Sequence, residues 1–396
     1  MSQRLIVRSA DLGRLREEGY HLETRGNVLL VHDVPYVNPS REVLRGTLVT
    51  ELELAGDMTI QPSNHVAQFI GQTPSDSEGH PLSKLINSGA ASLVGSVHVN
   101  FTFSKKPMGG DQRYRDYHHK VTTYVALLLM HAQVLDPTVA ATTFPVITPD
   151  EDDDSPFEYL DTASVRAGIS EVTKKLRLGP IAIIGLGGTG AYTLDLVAKT
   201  PVREIHLFDG DRYLQHNAFR SPGAPSIEEL ATVPKKVDYF AARYAKMRKK
   251  IVPHGDFVTE ANVDELRGMT FVFLALDDGP ARKLIVTKLE EYGIDFIDVG
   301  IGVEHVDNSL TGLVRTTLST VDSRKHLDAD HRLPFGKAND ANDYNRNIQI
   351  ADLNALNAAL AVIKWKKLAG FYLDLEREHY SAYAVNGNTL INEDLG

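Results

Sequence analysis

Hydrophobic and polar positions fall into two regimes along the chain. In the first third, short alternating runs dominate, the signature of half-buried strands. They predict strands at His21–Thr24, Val28–Val31, Thr47–Leu54 and Val97–Phe103. In Thr47–Leu54, Leu48, Thr50, Leu52 and Leu54 alternate with Val49, Glu51 and Glu53, and Gly56-Asp57 supplies a bend. Helices are predicted at Ala10–Glu18 and Tyr117–Val134, the second apolar along Val121, Tyr124, Val125, Leu128 and Leu129. The run Asp150-Glu151-Asp152-Asp153-Asp154, flanked by Pro149 and Pro156, then breaks the pattern. Consecutive carboxylates stay solvated, so this run reads as a linker.

Beyond it, strands and helices alternate. Strands are predicted at Pro180–Ile184, Glu204–Phe208, Phe257–Ala261, Met269–Leu276, Phe296–Val299 and Thr311–Leu318. Helices are predicted at Thr189–Lys199, Lys236–Lys250, Gly279–Tyr292 and Ile348–Leu368. Such alternation predicts an α/β unit, a Rossmann-like mainly parallel sheet flanked by helices. Sheets of this kind hold ligands at the carboxyl ends of their strands. The expected organisation is a β-rich α+β domain over 1–148, a linker over 149–157 and the α/β domain with a C-terminal extension over 158–396.

Composition narrows the chemistry. The 396 residues, 42% hydrophobic, give room for two or three domains with full cores. A net charge of −10 excludes the basic footprint of a dedicated nucleic-acid binder. The absence of cysteine excludes a disulfide, Cys-ligated zinc, a thiolate nucleophile and a thioester on this chain. The polar start lacks a signal-peptide core, and no apolar run is long enough for a membrane span, so a cytoplasmic protein with no membrane partner is expected.

Gly185-Leu186-Gly187-Gly188-Thr189-Gly190 follows a predicted strand and opens a predicted helix, the context required of a nucleotide-binding turn. Gly185, Gly187, Gly188 and Gly190 permit a tight turn and close approach of phosphate to a helix N-terminus. The next strand ends in Asp209, suited to the ribose of NAD or of ATP. Asp211, Asn217, Arg220 and Lys236 follow, a polar set that a triphosphate needs and a dinucleotide does not. Asp277, at a later strand end beside Asp278, suits Mg²⁺, which takes one or two carboxylates plus phosphate oxygens.

With these residues the sequence resembles the ThiF-type, ubiquitin-activating-enzyme-like adenylyltransferases over roughly Glu158–Leu368. The resemblance rests on Gly185–Gly190, on Asp209 and Asp211 with Asn217 and Arg220, on Pro234-Lys235-Lys236-Val237, and on Asp277 with Arg282. It implies ATP and Mg²⁺ as cofactors, ribose at Asp209, phosphates at Asn217, Arg220 and Lys236, and magnesium at Asp277. It further implies a homodimer in which Arg166 reaches the partner subunit's site. The implied substrate is the C-terminal carboxylate of a ubiquitin-like protein. The β-rich front and the stretch Asn354–Trp365 resemble bacterial members that pair an uncharacterised N-terminal domain with a ThiF-type domain.

Members with a catalytic cysteine form a thioester; this chain cannot. Two routes remain: release of the adenylate to an acceptor on a conjugating-enzyme-like partner, or an oxyester on a hydroxyl of this chain. Ser319, Thr320 and Ser323 are the candidate hydroxyls, with His326 or His331 as base. A metal site within His326–His331 is not expected, since the spacing fixes no four ligands. The competing readings are an NAD-dependent oxidoreductase, which leaves Asn217, Arg220, Lys236 and Asp277 unexplained, and a non-catalytic ATP-binding scaffold.

Overall fold

The computed structural model describes residues 2–107, 112–149, 154–329, 332–336 and 348–393. The chain divides into two compact units, 1–153 and 154–396. Most of the acidic run falls outside the described residues.

In the first unit an antiparallel sheet runs in the order His21–Arg25, Val28–Val37, Val43–Glu51, Val66–Ile70, Phe101–Ser104, Ile86–Ser88. Helix Tyr117–Leu135 begins at Asp116, whose carboxylate accepts the His119 N–H. It buries Tyr117, Val121, Tyr124, Val125 and Leu128 at helical spacing, in one core with Leu12, Leu15, Phe69 and Phe103. Two predicted strands are redrawn. Val97–Phe103 breaks at Asn100 into Val97–Val99 and Phe101–Ser104. Thr47–Leu54 instead spans Val43–Glu51, and Leu54-Ala55 folds back on Met58-Thr59 at the Gly56-Asp57 bend.

In the second unit the elements are β1 (Ile181–Ile184), α1 (Gly188–Ala198), β2 (Ile205–Phe208), α2 (Lys236–Tyr244), β3 (Ile251–His254), β4 (Phe271–Leu274), α3 (Gly279–Glu291), β5 (Asp295–Val306), β6 (Ser309–Ser319), α4 (Ala351–Leu368), β7 (Tyr380–Ala384) and β8 (Thr389–Glu393). One sheet takes the order β3-β2-β1-β4-β5-β6-β7-β8. The pairs from β3 through β5 are parallel, and those from β5 through β8 antiparallel. The short parallel strands are apolar on both faces because helices cover both. Among the described residues no helix is long and apolar enough to cross a membrane.

Four predicted elements change. The basic helix Lys236–Lys250 stops at Tyr244 because Arg248 turns inward. Its buried guanidinium, pushed down to about 10 by burial, donates to the carbonyls of Ala198, Thr200 and Val202 and so satisfies the end of α1. The edge strand is β3, not Phe257–Ala261; Pro253 disguises it, and an edge position tolerates proline. Finally, β5 and β6 run well past Phe296–Val299 and Thr311–Leu318, turning at Asp307-Asn308, both at positive φ.

Lys120 lies on the buried face of helix Tyr117–Leu135, 2% exposed, with its ammonium 3.4 Å from Asn64 Oδ1. Burial pulls its pKa down to about 8. The unfolded chain holds that proton up to a higher pH, so stability rises between about pH 8 and 10. Burial also pushes Tyr117 and Tyr124 up to about 12, so stability falls again as tyrosines of the unfolded chain ionise above about pH 10. Lys120→Met is expected to raise the unfolding temperature at pH 7 and to reduce the rise above pH 8. Calorimetric scans of the full chain from pH 7 to 10 check both.

Candidate nucleotide site

The site is built on the carboxyl rim of β1, β2 and β4. Gly185 ends β1 at φ +88°, a conformation that favours glycine, beside the Ala275 carbonyl after β4. Gly190 packs against the Gly185 carbonyl, and the Asn354 carboxamide occupies the space a Gly188 side chain would take. At Gly187, the N-cap of α1, a Cβ would meet only Gln349 Oε1, at 3.9 Å. The turn is therefore packed behind and open at Gly187.

Asp209 holds this turn. It is buried; its Oδ2 accepts the Leu186 N–H at 2.7 Å and its Oδ1 the Asp211 N–H at 2.8 Å. Lys236, at the start of α2 and also buried, lies 3.5 Å from Asp209 and 2.7 Å from Asp211. Asp211 is the exposed member of this pair of carboxylates.

Asn217 is buried on the short turn Gln215–Ala218, where its Oδ1 accepts the Leu214 N–H at 2.8 Å. A cavity of about 220 Å³ is lined by Asp211, Leu214, His216, Asn217, Arg220 and Lys236. Burial lowers the pKa of Arg220, against the pull of Asp277 and Asp211. Its Nε is buried and makes no hydrogen bond. His216 is pushed down too, by burial and then by the Arg220 and Lys236 cations. The cations Arg220 and Lys236 thus line the cavity beside the carboxylate of Asp211.

Asp277 is exposed and makes no hydrogen bond or ion pair among the described residues. Asp278 is committed: it caps α3, accepting the Ala281 N–H at 3.0 Å. Behind them Arg282, 4% exposed, donates to Asp298 at 2.9 Å, to the Pro334 carbonyl at 2.8 Å and to the Leu276 carbonyl. Arg315 takes the other oxygen of Asp298 at 2.6 Å and donates to the Arg332 carbonyl. This buried clamp fixes the backbone next to Asp277 and segment 332–336 together. Among the described residues no three His, Cys, Asp or Glu gather as a metal cage requires.

The structure therefore brings Gly185, Gly187, Gly188, Gly190, Asp209, Asp211, Asn217, Arg220, Lys236 and Asp277 to one rim. It does not bring the candidate acceptor hydroxyls there. Ser319 pairs with Phe296, in the amino half of β5, so the chain leaves β6 at the opposite rim. Ser319 is fully buried, Thr320 is nearly so, and Thr320 and Ser323 close a turn on each other. His326 packs 5.3 Å from the His379 ring, and His331 lies outside the described residues. Arg166 ends the short helix Thr162–Arg166, which has no buried residue, and does not line the cavity.

Sequence reasoning missed Asn354 and Asn357. Asn354 accepts from Thr189 Oγ1 at 3.0 Å and donates to the Arg220 carbonyl at 3.3 Å; Asn357 donates to the Gly300 carbonyl at 3.0 Å. Two asparagines three apart on the mostly apolar buried face of this helix were the available signal.

Residues 10–162 match the Domain of unknown function (DUF6791), and residues 162–315 match the ThiF family. Ubiquitin-like modifier-activating enzyme 5 of Gallus gallus is 23% identical over 180 residues, 43% of this chain and 44% of that protein. Its Xenopus laevis counterpart is 23% identical over 174 residues, 41% of this chain and 43% of that protein. The chain thus spans less than half the length of these curated relatives. Solved structures of similar shape include E. coli MccB with ATP, at TM-score 0.43 and 15% identity over 57% of this chain and 66% of that one. PaaA is also similar, at TM-score 0.44 and 18% identity over 57% and 76%. Residues 162–315, which hold every residue of the rim but Gln349 and the contributions of segment 332–336 and α4, match the ThiF family, and residues 10–162 match a domain of unknown function.

Proposed function

We propose that this protein is an ATP-dependent adenylyltransferase acting on the C-terminal carboxylate of a ubiquitin-like protein. The observation that carries the reading is Arg220. A half-buried guanidinium whose buried Nε is unspent, beside a cavity that Lys236 also lines, is built for an anion. The ThiF match supports the same chemistry.

In the proposed step a carboxylate oxygen bonds to the α-phosphorus of ATP. The bond from that phosphorus to the bridging oxygen breaks, and pyrophosphate leaves with the electron pair. The chain contributes no covalent chemistry; it aligns the reactants and stabilises charge on the phosphates. Backbone N–H groups after Gly187 face the phosphates, Arg220 and the Asn217 amide donate to them, and Lys236 turns to them from Asp211. Asp209 has lone pairs left for ribose beyond its two backbone bonds. Asp277 fits magnesium, being exposed, unspent and at a strand end; the ion, when bound, offsets phosphate charge.

A nucleophile on another molecule, of conjugating-enzyme type, then bonds to the acyl carbon and gives up its proton, the bond from that carbon to the phosphate oxygen breaks, and AMP leaves. Buried Ser319 and the turn at Thr320 and Ser323, on the opposite rim, favour that route over an oxyester. Arg166, exposed in its own chain, serves the nucleotide of the partner subunit in a homodimer.

ATP–pyrophosphate exchange tests the reading. It is expected to require magnesium and a ubiquitin-like protein with a free C-terminus. Arg220→Ala and Asp277→Ala are each expected to lower it about 100-fold or more, with the unfolding temperature unchanged. Gly187→Ala is expected to do the same, since its backbone accepts a methyl without clash while the phosphates do not. Folded variants with undiminished exchange contradict the site. For the dimer, mixed Arg166→Ala and Asp277→Ala proteins are expected to recover part of the exchange that neither shows alone. No recovery in an isolated heterodimer contradicts action across subunits.

A further inference from the structure

We propose that Gln349 is a nucleotide contact, donating from its side-chain amide to a phosphate oxygen lying over Gly187; this rests on the ATP reading above. Three observations converge on it. The first is position. Gln349 lies two residues before α4, the helix whose Asn354 binds Thr189 and the Arg220 carbonyl. The start of α4 is thereby fixed against the glycine turn.

The second is space. Carbonyls of Ala275 and Gly185 and the Asn354 amide fill the positions next to Gly185, Gly190 and Gly188. Gly187 alone of the four has room, and the atom overlooking that room is Gln349 Oε1, 3.9 Å from where a Cβ would stand. The third is an unspent bond. Gln349 Oε1 is buried and accepts no hydrogen bond, as Arg220 Nε is buried and donates none. Buried polar atoms are nearly always paired, so two unpaired at one rim point to a ligand that pairs them.

The chemistry selects the phosphate. A primary amide turns over about its last torsion at little cost and can present either its oxygen or its NH₂. Gly187 is the N-cap of α1, where free N–H groups and the helix dipole favour an anion. Phosphate oxygens only accept, so the NH₂ faces them. Asn354 spends its carboxamide on the protein, whereas Gln349 holds its own for the ligand.

Calorimetry of the full chain with magnesium-ATP tests this on wild type, Gln349→Ala, Gln349→Glu and Arg220→Ala, each first shown to melt normally. Gln349→Ala is expected to weaken ATP binding about 10-fold, the value of one hydrogen bond to a charged group. Gln349→Glu is expected to weaken it about 100-fold, because a carboxylate then faces phosphate. Adenosine is expected to bind all Gln349 variants alike. A packing role would not make the glutamate variant worse than the alanine for ATP and leave adenosine untouched. Undiminished ATP binding by Gln349→Glu while Arg220→Ala has lost it overturns this inference alone. Loss of adenosine binding in Gln349→Ala also overturns it, assigning the amide to ribose or base. No ATP binding by the wild type overturns the proposed function and this inference together.

Discussion

The rim depends on one buried carboxylate. Asp209 receives the N–H of Leu186 from the glycine turn and that of Asp211 from its own strand end, and it faces the ammonium of Lys236. Three segments far apart in sequence meet at two oxygen atoms. A carboxylate so satisfied withstands burial, and removing it would leave the N–H groups of Leu186 and Asp211 without their acceptor and Lys236 with Asp211 alone. The turn keeps its open position at Gly187 because Asp209 holds its neighbour Leu186 in place.

A second buried carboxylate does the matching task on the other side of the rim. Asp298, wholly inaccessible, binds Arg282 and Arg315, and those two arginines hold carbonyls of Leu276, Pro334 and Arg332. Breaking such a group on one side costs about 3–5 kcal/mol, because a charge is left buried and alone. What it secures here is geometry: the backbone leading to Asp277 and the segment returning from β6 cannot move apart. Asn354 supplies the third tie, between α1 and the Arg220 backbone. The charged groups left unspent by these ties, Arg220 Nε and Asp277, are those the proposed chemistry uses.

How much of this was legible in the sequence follows from how local each signal is. The glycine turn, Asp209 and Asp277 stand at strand ends whose apolar runs are unmistakable, so both fold class and rim could be read. The register of β5 and β6 could not, since their outer halves cross exposed ground where alternation is weak, as at Glu304, His305 and Val306. Arg248 looked like part of a basic helix because nothing local says that its guanidinium serves three carbonyls elsewhere. The candidate acceptor hydroxyls lie away from the rim for a topological reason. β6 runs antiparallel to β5, so its end lies at the rim away from the glycine turn. Gln349 and Asn354 reach the site only through helix packing, which no sequence spacing records.

The central claim is that the bond broken in ATP lies between the α- and β-phosphates. Oxygen-18 placed on the nonbridging β-positions reports it directly by phosphorus NMR. With magnesium and a ubiquitin-like protein bearing a free C-terminal carboxylate, the account predicts that label moves into the α–β bridge of recovered ATP. Label moving into the β–γ bridge, with ADP as product, would contradict it.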